Sequence, residues 1–333
     1  MQRTRPNIKT TCKAILALAV LCAVSLFAEE FQKTGTTGFV FLNLPVSARY
    51  TAMGETGISS PNGQADGMFI NPALIAHTRM TNAFSATYGQ WYMGTGHHAA
   101  SYVRKIPTLG SLGVFMNLFD FGEMERTRFF APEEVNSFTG DENNIYMTLG
   151  TFQAGAYALG LSYARQMTDK FTVGANLKYV REFIAEYHAQ NLLVDMGFFY
   201  QTTFSSLRIG AFLKNFGLET QYVNEKFKMP QQMTLGISFE PYGSLDDPTY
   251  VSLNIEAVHP NDMSEHINIG VESRIANLLI LRGGYKFGYE YENLTAGLGI
   301  HFVFKSRSFD LDMSLMRHRY MNTTLRYTLN MEL

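Results

Sequence analysis

Cysteine is nearly missing from this chain. Its two cysteines, Cys12 and Cys22, both fall within the first 28 residues. The remainder has none, which excludes a disulfide framework and thiolate metal sites there. Charge is also sparse, at 17% of residues against roughly a quarter in an ordinary soluble domain. Long hydrophobic runs are lacking too: Ala14 to Ala28 is apolar, but falls short of the roughly 20 residues a membrane helix needs. Later apolar stretches are broken by glycine, asparagine or a charge every few residues. The sequence contains no HExxH zinc motif, no phosphate-cradling glycine loop and no nucleophile elbow. We therefore expect no enzyme, no catalytic residues, no metal site and no cofactor. His97 and His98 are adjacent on an expected strand and point to opposite faces, so they do not share a metal.

The N-terminus carries an export pattern. Arg3, Arg5, Lys9 and Lys13 precede the apolar stretch, and small residues at Ser25 and Ala28 offer a cleavage site before Glu29. Residues 1–28 thus read as a signal peptide. Its removal takes four positive charges and leaves 27 − 4 = 23 against 29, a net of −6. Nucleic acid is excluded as a partner, because phosphate binding calls for a basic patch.

Period-two alternation fills the body. Gln232 to Phe239, Phe171 to Tyr179, Val251 to Ala257 and His266 to Glu272 each alternate apolar with small or polar residues. Successive strand side chains point to opposite faces, so each segment has an oily face and a wet face. About fourteen such segments run from Asn82 to Met331, an even number of a length suited to a bacterial outer-membrane barrel. Among them are Leu109–Phe121, Thr151–Gln166, Lys170–Glu182 and Asn191–Phe204. Connections after even-numbered segments are mostly short, as at Pro107-Thr108, while Gly122–Gly150 and Gly217–Pro230 are long. Tyr242–Pro248 breaks that parity.

The oily face is expected to meet lipid, with Tyr88, Trp91, Tyr92, Tyr163, Tyr179 and Tyr327 in aromatic girdles. The wet face carries Glu256, Glu272, Arg282, Asp310, Asp312 and Arg326. These six are the expected lumenal charge network. Asp310 and Asp312 either form a carboxylate pair open to a cation or neutralise Arg326 and Arg282, and the second reading is preferred. A charge introduced at Ile237 should be rejected by lipid, whereas one at Ser238 should be accepted by a wet lumen.

Ahead of the strands, Pro45 to His77 is dense in glycine, proline, asparagine and serine and holds no period for long. An irregular small-residue segment before a β array suggests a plug. The fold expected is all-β: a transmembrane antiparallel β-barrel of about 14 strands with an N-terminal hatch in the lumen. Residues 29–80 would be the hatch and 81–333 the barrel.

Ala48-Arg49-x-x-Ala52-Met53-Gly54, followed by Asn71-Pro72-Ala73, resembles the hatch of the PorV/PorQ family within the FadL-like barrels. Leu213-Lys214-Asn215-Phe216-Gly217 resembles the family's strand end, and Gly270-Val271-Glu272 with Leu281-Arg282-Gly283-Gly284-Tyr285 its glycine-containing strand pair. Ala52, Glu55 and Ile70 depart from the family pattern. The resemblance places Met53, Gly54, Asn71, Pro72 and Ala73 in the hatch, where they form either a gate or a static filler, since both need the same residue types. It also implies an outer-membrane protein accessory to type IX secretion, with secreted cargo proteins, other type IX components and outer-membrane lipid as partners. The alternative within the same superfamily is a FadL-like channel for hydrophobic small molecules. The long loop with Phe129-Phe130 beside Glu133 and Glu134 could cap a ligand or meet a protein.

Overall fold

The computed structural model describes residues 35–61, 63–129, 146–204 and 206–333. The expected signal peptide and the loop residues Phe130, Glu133 and Glu134 lie outside them. In chain order the strands are β1 (Asn82–Gln90), β2 (Gly96–Ile106), β3 (Gly110–Phe129), β4 (Tyr146–Gln166), β5 (Phe171–Ile184), β6 (Tyr187–Gln201) and β7 (Arg208–Phe216). A two-stranded excursion, β8 (Thr220–Gln221) and β9 (Lys226–Phe227), follows. Then come β10 (Gln232–Tyr242), β11 (Tyr250–Pro260), β12 (His266–Ile275), β13 (Leu279–Phe287), β14 (Leu294–Phe304), β15 (Arg307–Met316) and β16 (Thr324–Glu332).

Fourteen of these, all but β8 and β9, form one closed antiparallel barrel. Each barrel strand pairs with its sequence neighbour, and β16 returns to β1 with Ala83 opposite Glu332. Asn82 and Leu333 exchange both backbone hydrogen bonds at the closure, at 3.0 and 2.7 Å. Closure leaves no edge with unpaired amides, which is what allows strands to stand in lipid.

Alternation explains the two surfaces. Leu159, Leu161, Leu177, Leu235, Leu281, Leu298 and Leu311 are exposed on the outside, while their neighbours Ser162, Lys178, Thr234, Arg282 and Asp312 are buried inside. Two expected girdle residues do otherwise. Trp91, just past the end of β1, packs against an interior apolar cluster and lies under the Arg326 guanidinium at 5.6 Å. Tyr92 turns its hydroxyl to Glu292, donating at 2.9 Å. Both sit where the chain leaves the strand, so period two no longer sets their direction.

The barrel has a turn end, where β1 begins and β16 finishes, and a loop end opposite. Strand β3 runs on to Phe129 and β4 starts at Tyr146, so the described flanks of the expected long loop extend the β3–β4 pair. Its 20 and 21 residues far exceed the 9 of β1, and register shifts at Asp120/Glu123 and Glu125/Thr127 mark where it overhangs the rim. The expected gap between Glu182 and Asn191 is likewise strand up to a tight turn at Ala185, whose φ is +52°. Gly243 to Thr249 remains a longer connection at the turn end.

Residues 35–80 form no part of the wall. Thr37 bridges Lys228 at the loop end, and Arg79 reaches Asp246 and Glu332 at the turn end. In between, a short helix Ala48–Ala52, a second at Gly67–Ile70 and a 3-10 helix Pro72–His77 are almost wholly buried. Over much of its height the inward wall face therefore meets protein. Ser238 is buried and donates to Ser59 O at 2.7 Å, so the expectation that it would accept an arginine freely is corrected. No described helix is long and apolar enough to cross a membrane, a statement that says nothing of strands.

Candidate functional site

The inner segment and the wall that holds it form the candidate site. Three pairs of facing glycines in the wall seat it. Gly270 and Gly284 are cross-strand partners, and a methyl group on either would collide with Met53, Gly54 or Thr56. Gly210 and Gly236, also partners, leave room for Ile58. Gly174 and Gly197, the third pair, accept Asn71, Pro72 and Ala73. Glycine inside a strand weakens it unless another backbone must come close, and here one does. All five expected gate residues thus lie on two of these seats. Gly54 has φ +68° and donates its N–H to Thr295 Oγ1 at 2.9 Å. Asn71 accepts from Ala73 N at 3.0 Å and donates to Ile58 O at 2.7 Å and to Phe198 O of β6 at 3.0 Å. Pro72 opens the 3-10 helix, where its missing N–H costs nothing.

The six charged residues do not make one network. Glu272 and Arg282, cross-strand partners, bond at 2.7 Å, and Arg282 continues to Asp312 at 2.5 Å. Arg49 of the inner helix grips Glu272 with two bonds of 2.8 and 3.1 Å. Glu256 stands apart, accepting from Gly57 N at 2.5 Å and Ile58 N at 2.8 Å. Asp310 holds His301 and Gln64 at 2.8 and 2.6 Å. Arg326 meets neither aspartate. Register places Ser314 opposite it and sets Thr328 and Asn330 opposite Asp312 and Asp310, so it bonds Thr51 and His97 instead. Glu256, Glu272, Asp310 and Arg326 each bond the inner segment. They hold it more than they hold one another. Among the described residues no cluster of potential ligands has the geometry of a metal site.

Toward the loop end the interior changes character. Phe39, Phe41, Leu42, Phe119, Val180, Leu193 and Met229 form a buried apolar cluster with Trp91, Tyr222 and Phe227 against it. Above it opens a cavity of about 350 Å³ walled by Phe39, Phe41, Phe121, Tyr222 and Phe227. Below it lie two smaller cavities of about 20 and 60 Å³. At the turn end a polar cavity of about 590 Å³ is lined by His77, Arg79, Arg208, Glu240 and Asp246. His77 contacts Thr172 Oγ1 at 3.1 Å, and burial, aided by the Lys105 charge, lowers its pKa from 6.5 to about 4.

This layout of a plugged, closed barrel invites comparison with known proteins. No family model and no curated protein matches the chain. Solved structures do. The toluene transporter TodX of Pseudomonas putida aligns with TM-score 0.56 at 16% identity, over 90% of this chain and 99% of its own. The monoaromatic hydrocarbon channel CymD gives 0.55 at 12%, over 89% and 97%. A FadL homologue of Pseudomonas aeruginosa gives 0.54 at 10%, over 86% and 98%. The fold is that of the FadL-type barrels. At these identities the likeness is one of FadL-type architecture, and PorV/PorQ membership finds no counterpart in it.

Several residues of this FadL-type interior were not singled out by sequence reasoning for the parts they play. Arg49, one residue of the Ala-Arg-x-x-Ala-Met-Gly motif, joins the inner helix to Glu272. The paired wall glycines did fall on the wet positions of the alternation, and small residues there were a readable signal of a close neighbour. Ser47, which donates to Asp66 at 2.5 Å, carried no signal at all.

Proposed function

We propose that this protein is an outer-membrane channel that passes small hydrophobic molecules, with residues 35–80 as its gate. The observation that carries the reading is the apolar lining of the loop half of the lumen, from the cavity at Phe39 and Phe227 down to Leu42 and Phe119. A polar solute has no use for such a path, whereas apolar and aromatic side chains around a few hundred Å³ suit a small apolar ligand. The outward leucines and isoleucines stand in lipid, and the turn end faces the periplasm, as short turns do in such barrels. TodX and CymD carry transporter and channel names, which favours this reading over the cargo-receiving role implied by PorV/PorQ.

The experiment is uptake of labelled toluene by porin-depleted cells producing the protein, compared with the empty host. Faster uptake is expected. Equal uptake at verified assembly in the outer membrane would refute the channel.

A further inference from the structure

Three connections meet at the loop end, residues 91–95, 288–293 and 317–323. Rings knit them together. His318 lies against Tyr92 at 4.9 Å and Tyr291 at 5.7 Å, and Tyr291 lies 5.7 Å from Tyr320. The imidazole is fixed in place, because its Nδ1 accepts from the amides of Tyr320 and Met321 at 3.1 and 2.9 Å. The outer rings of the group are bare: Tyr320 is 71% exposed, with Tyr291 and Met321 exposed beside it. Apolar area held open to water in a fixed arrangement marks a surface that something covers.

Two arginines flank these rings. Pairing with the β14 side carries on past the end of β15, where Arg317 N donates to Leu294 O at 3.2 Å and Arg319 N to Tyr291 O at 2.9 Å. Arg317 therefore follows Leu311 and Leu315 on the outward face, at the top of a lipid-facing column. Register continues that column onto β16, with Leu329 opposite Leu311, Tyr327 opposite Met313 and Leu325 opposite Leu315. Arg319 lies over the Tyr320 ring at 5.5 Å. Both arginines are exposed, and neither side chain has a hydrogen bond or an ion pair among the described residues. The acids of the adjoining loop are engaged elsewhere. Glu292 pairs with Lys286 at 3.5 Å and accepts from the Tyr92 hydroxyl at 2.9 Å, and Glu290 accepts from the Tyr291 hydroxyl.

We infer that this corner of the rim holds a phosphorylated glycolipid of the outer leaflet, with the loop end outward as proposed above. Its acyl chains lie on the facing leucines of β15 and β16, its phosphate meets Arg317 and Arg319, and its sugar ring covers Tyr320. The contact continues the lipid-facing wall upward. Guanidinium groups match phosphate with paired hydrogen bonds, and cations just above the hydrocarbon attract an anionic headgroup. A phospholipid without a sugar would leave the rings uncovered. The site lies outside the lumen and is separate from the path of a transported molecule.

Fluorescent diphosphoryl lipid A, titrated against the full-length protein in detergent and followed by anisotropy, tests this. Lipid A stripped of both phosphates keeps its sugars and chains. It should bind on the order of twentyfold more weakly, since an arginine facing an anionic headgroup is worth about fivefold. Arg317→Gln combined with Arg319→Gln should erase that preference, whereas Arg165→Gln, exposed at the turn end, should leave it unchanged. Tyr320→Ala should weaken lipid A binding severalfold and leave phosphatidylglycerol, which lacks a sugar ring, unaffected. Heat-modifiable mobility checks assembly. If the double variant does not assemble, Arg319→Gln alone, outside the strands, should cost about fivefold. Equal binding of the two lipid A forms, a preference that survives loss of the arginines, or an equal loss in Arg165→Gln overturns the inference. Phosphatidylglycerol competing as strongly as lipid A overturns it too. Toluene uptake reads the channel independently: lipid A binding without uptake removes the channel and leaves this contact standing, and uptake without lipid A preference does the reverse.

Discussion

Replacing Asn71 by alanine should release the inner segment while leaving the barrel assembled. The side chain makes three hydrogen bonds, at 3.0 Å from Ala73 N, 2.7 Å to Ile58 O and 3.0 Å to Phe198 O. At roughly 1 kcal/mol net each, their loss costs about 3 kcal/mol, and the carbonyls of Ile58 and Phe198 lose a donor. That is on the order of a hundredfold shift toward the released state. The wall hydrogen bonds are untouched, so heat-modifiable mobility should not change. Arg49 is 3% exposed and inaccessible to trypsin while docked, which makes cleavage after it a direct readout of release. The rate should rise about a hundredfold if opening is fast relative to cutting. Asn71→Asp discriminates further. It keeps the acceptor for Ala73 N but turns an acceptor toward both carbonyls, so it should be at least as disruptive as alanine. An unchanged cleavage rate in both variants would refute the argument. A neutral aspartate variant would show that the cap matters and the anchors to Ile58 and β6 do not.

Gly284→Val should dislodge Met53 and Gly54 at an overpacking cost of about 1–3 kcal/mol, seen as faster cleavage after Arg49 in an intact barrel. Ile237→Arg puts a charge on the outer face and should lower assembly by about 2–4 kcal/mol, whereas Ser238→Arg should assemble but expel the residues around Ser59; denaturant refolding into vesicles and proteolysis measure the two. His77 has a docked pKa of about 4, below the ordinary 6.5, so the released segment binds the proton first. Docking stability should therefore fall as pH drops from 6.5 toward 4, read as faster amide exchange across 72–77 after correction for intrinsic rates, and His77→Gln should flatten that dependence.

Much of the wall was legible because alternation is a local property. The end expected at Gln166 is the end of β4, and the starts expected at Leu109 and Lys170 miss those of β3 and β5 by one residue. Where the reading failed, the failing quantity was not local. The overhang of β3 and β4 depends on two segments finding each other across an insertion, which neither segment records alone. The inner segment announced itself through its lack of period, and Gly54 and Asn71 through their residue types. Its partners in the wall did not.

What the sequence determined by itself was direction: every second residue of a strand faces inward, so Glu272, Arg282, Asp312 and Arg326 had to share the interior. What the tertiary structure decided was who meets whom. Strand register, not residue type, sets Glu272 beside Arg282 and Arg326 beside Ser314. The fold of residues 35–80 then supplied Arg49, Thr51 and Gln64 to charges that had seemed destined for each other. A pairing energy depends steeply on distance, and distances between residues more than 200 positions apart exist only once the barrel has closed.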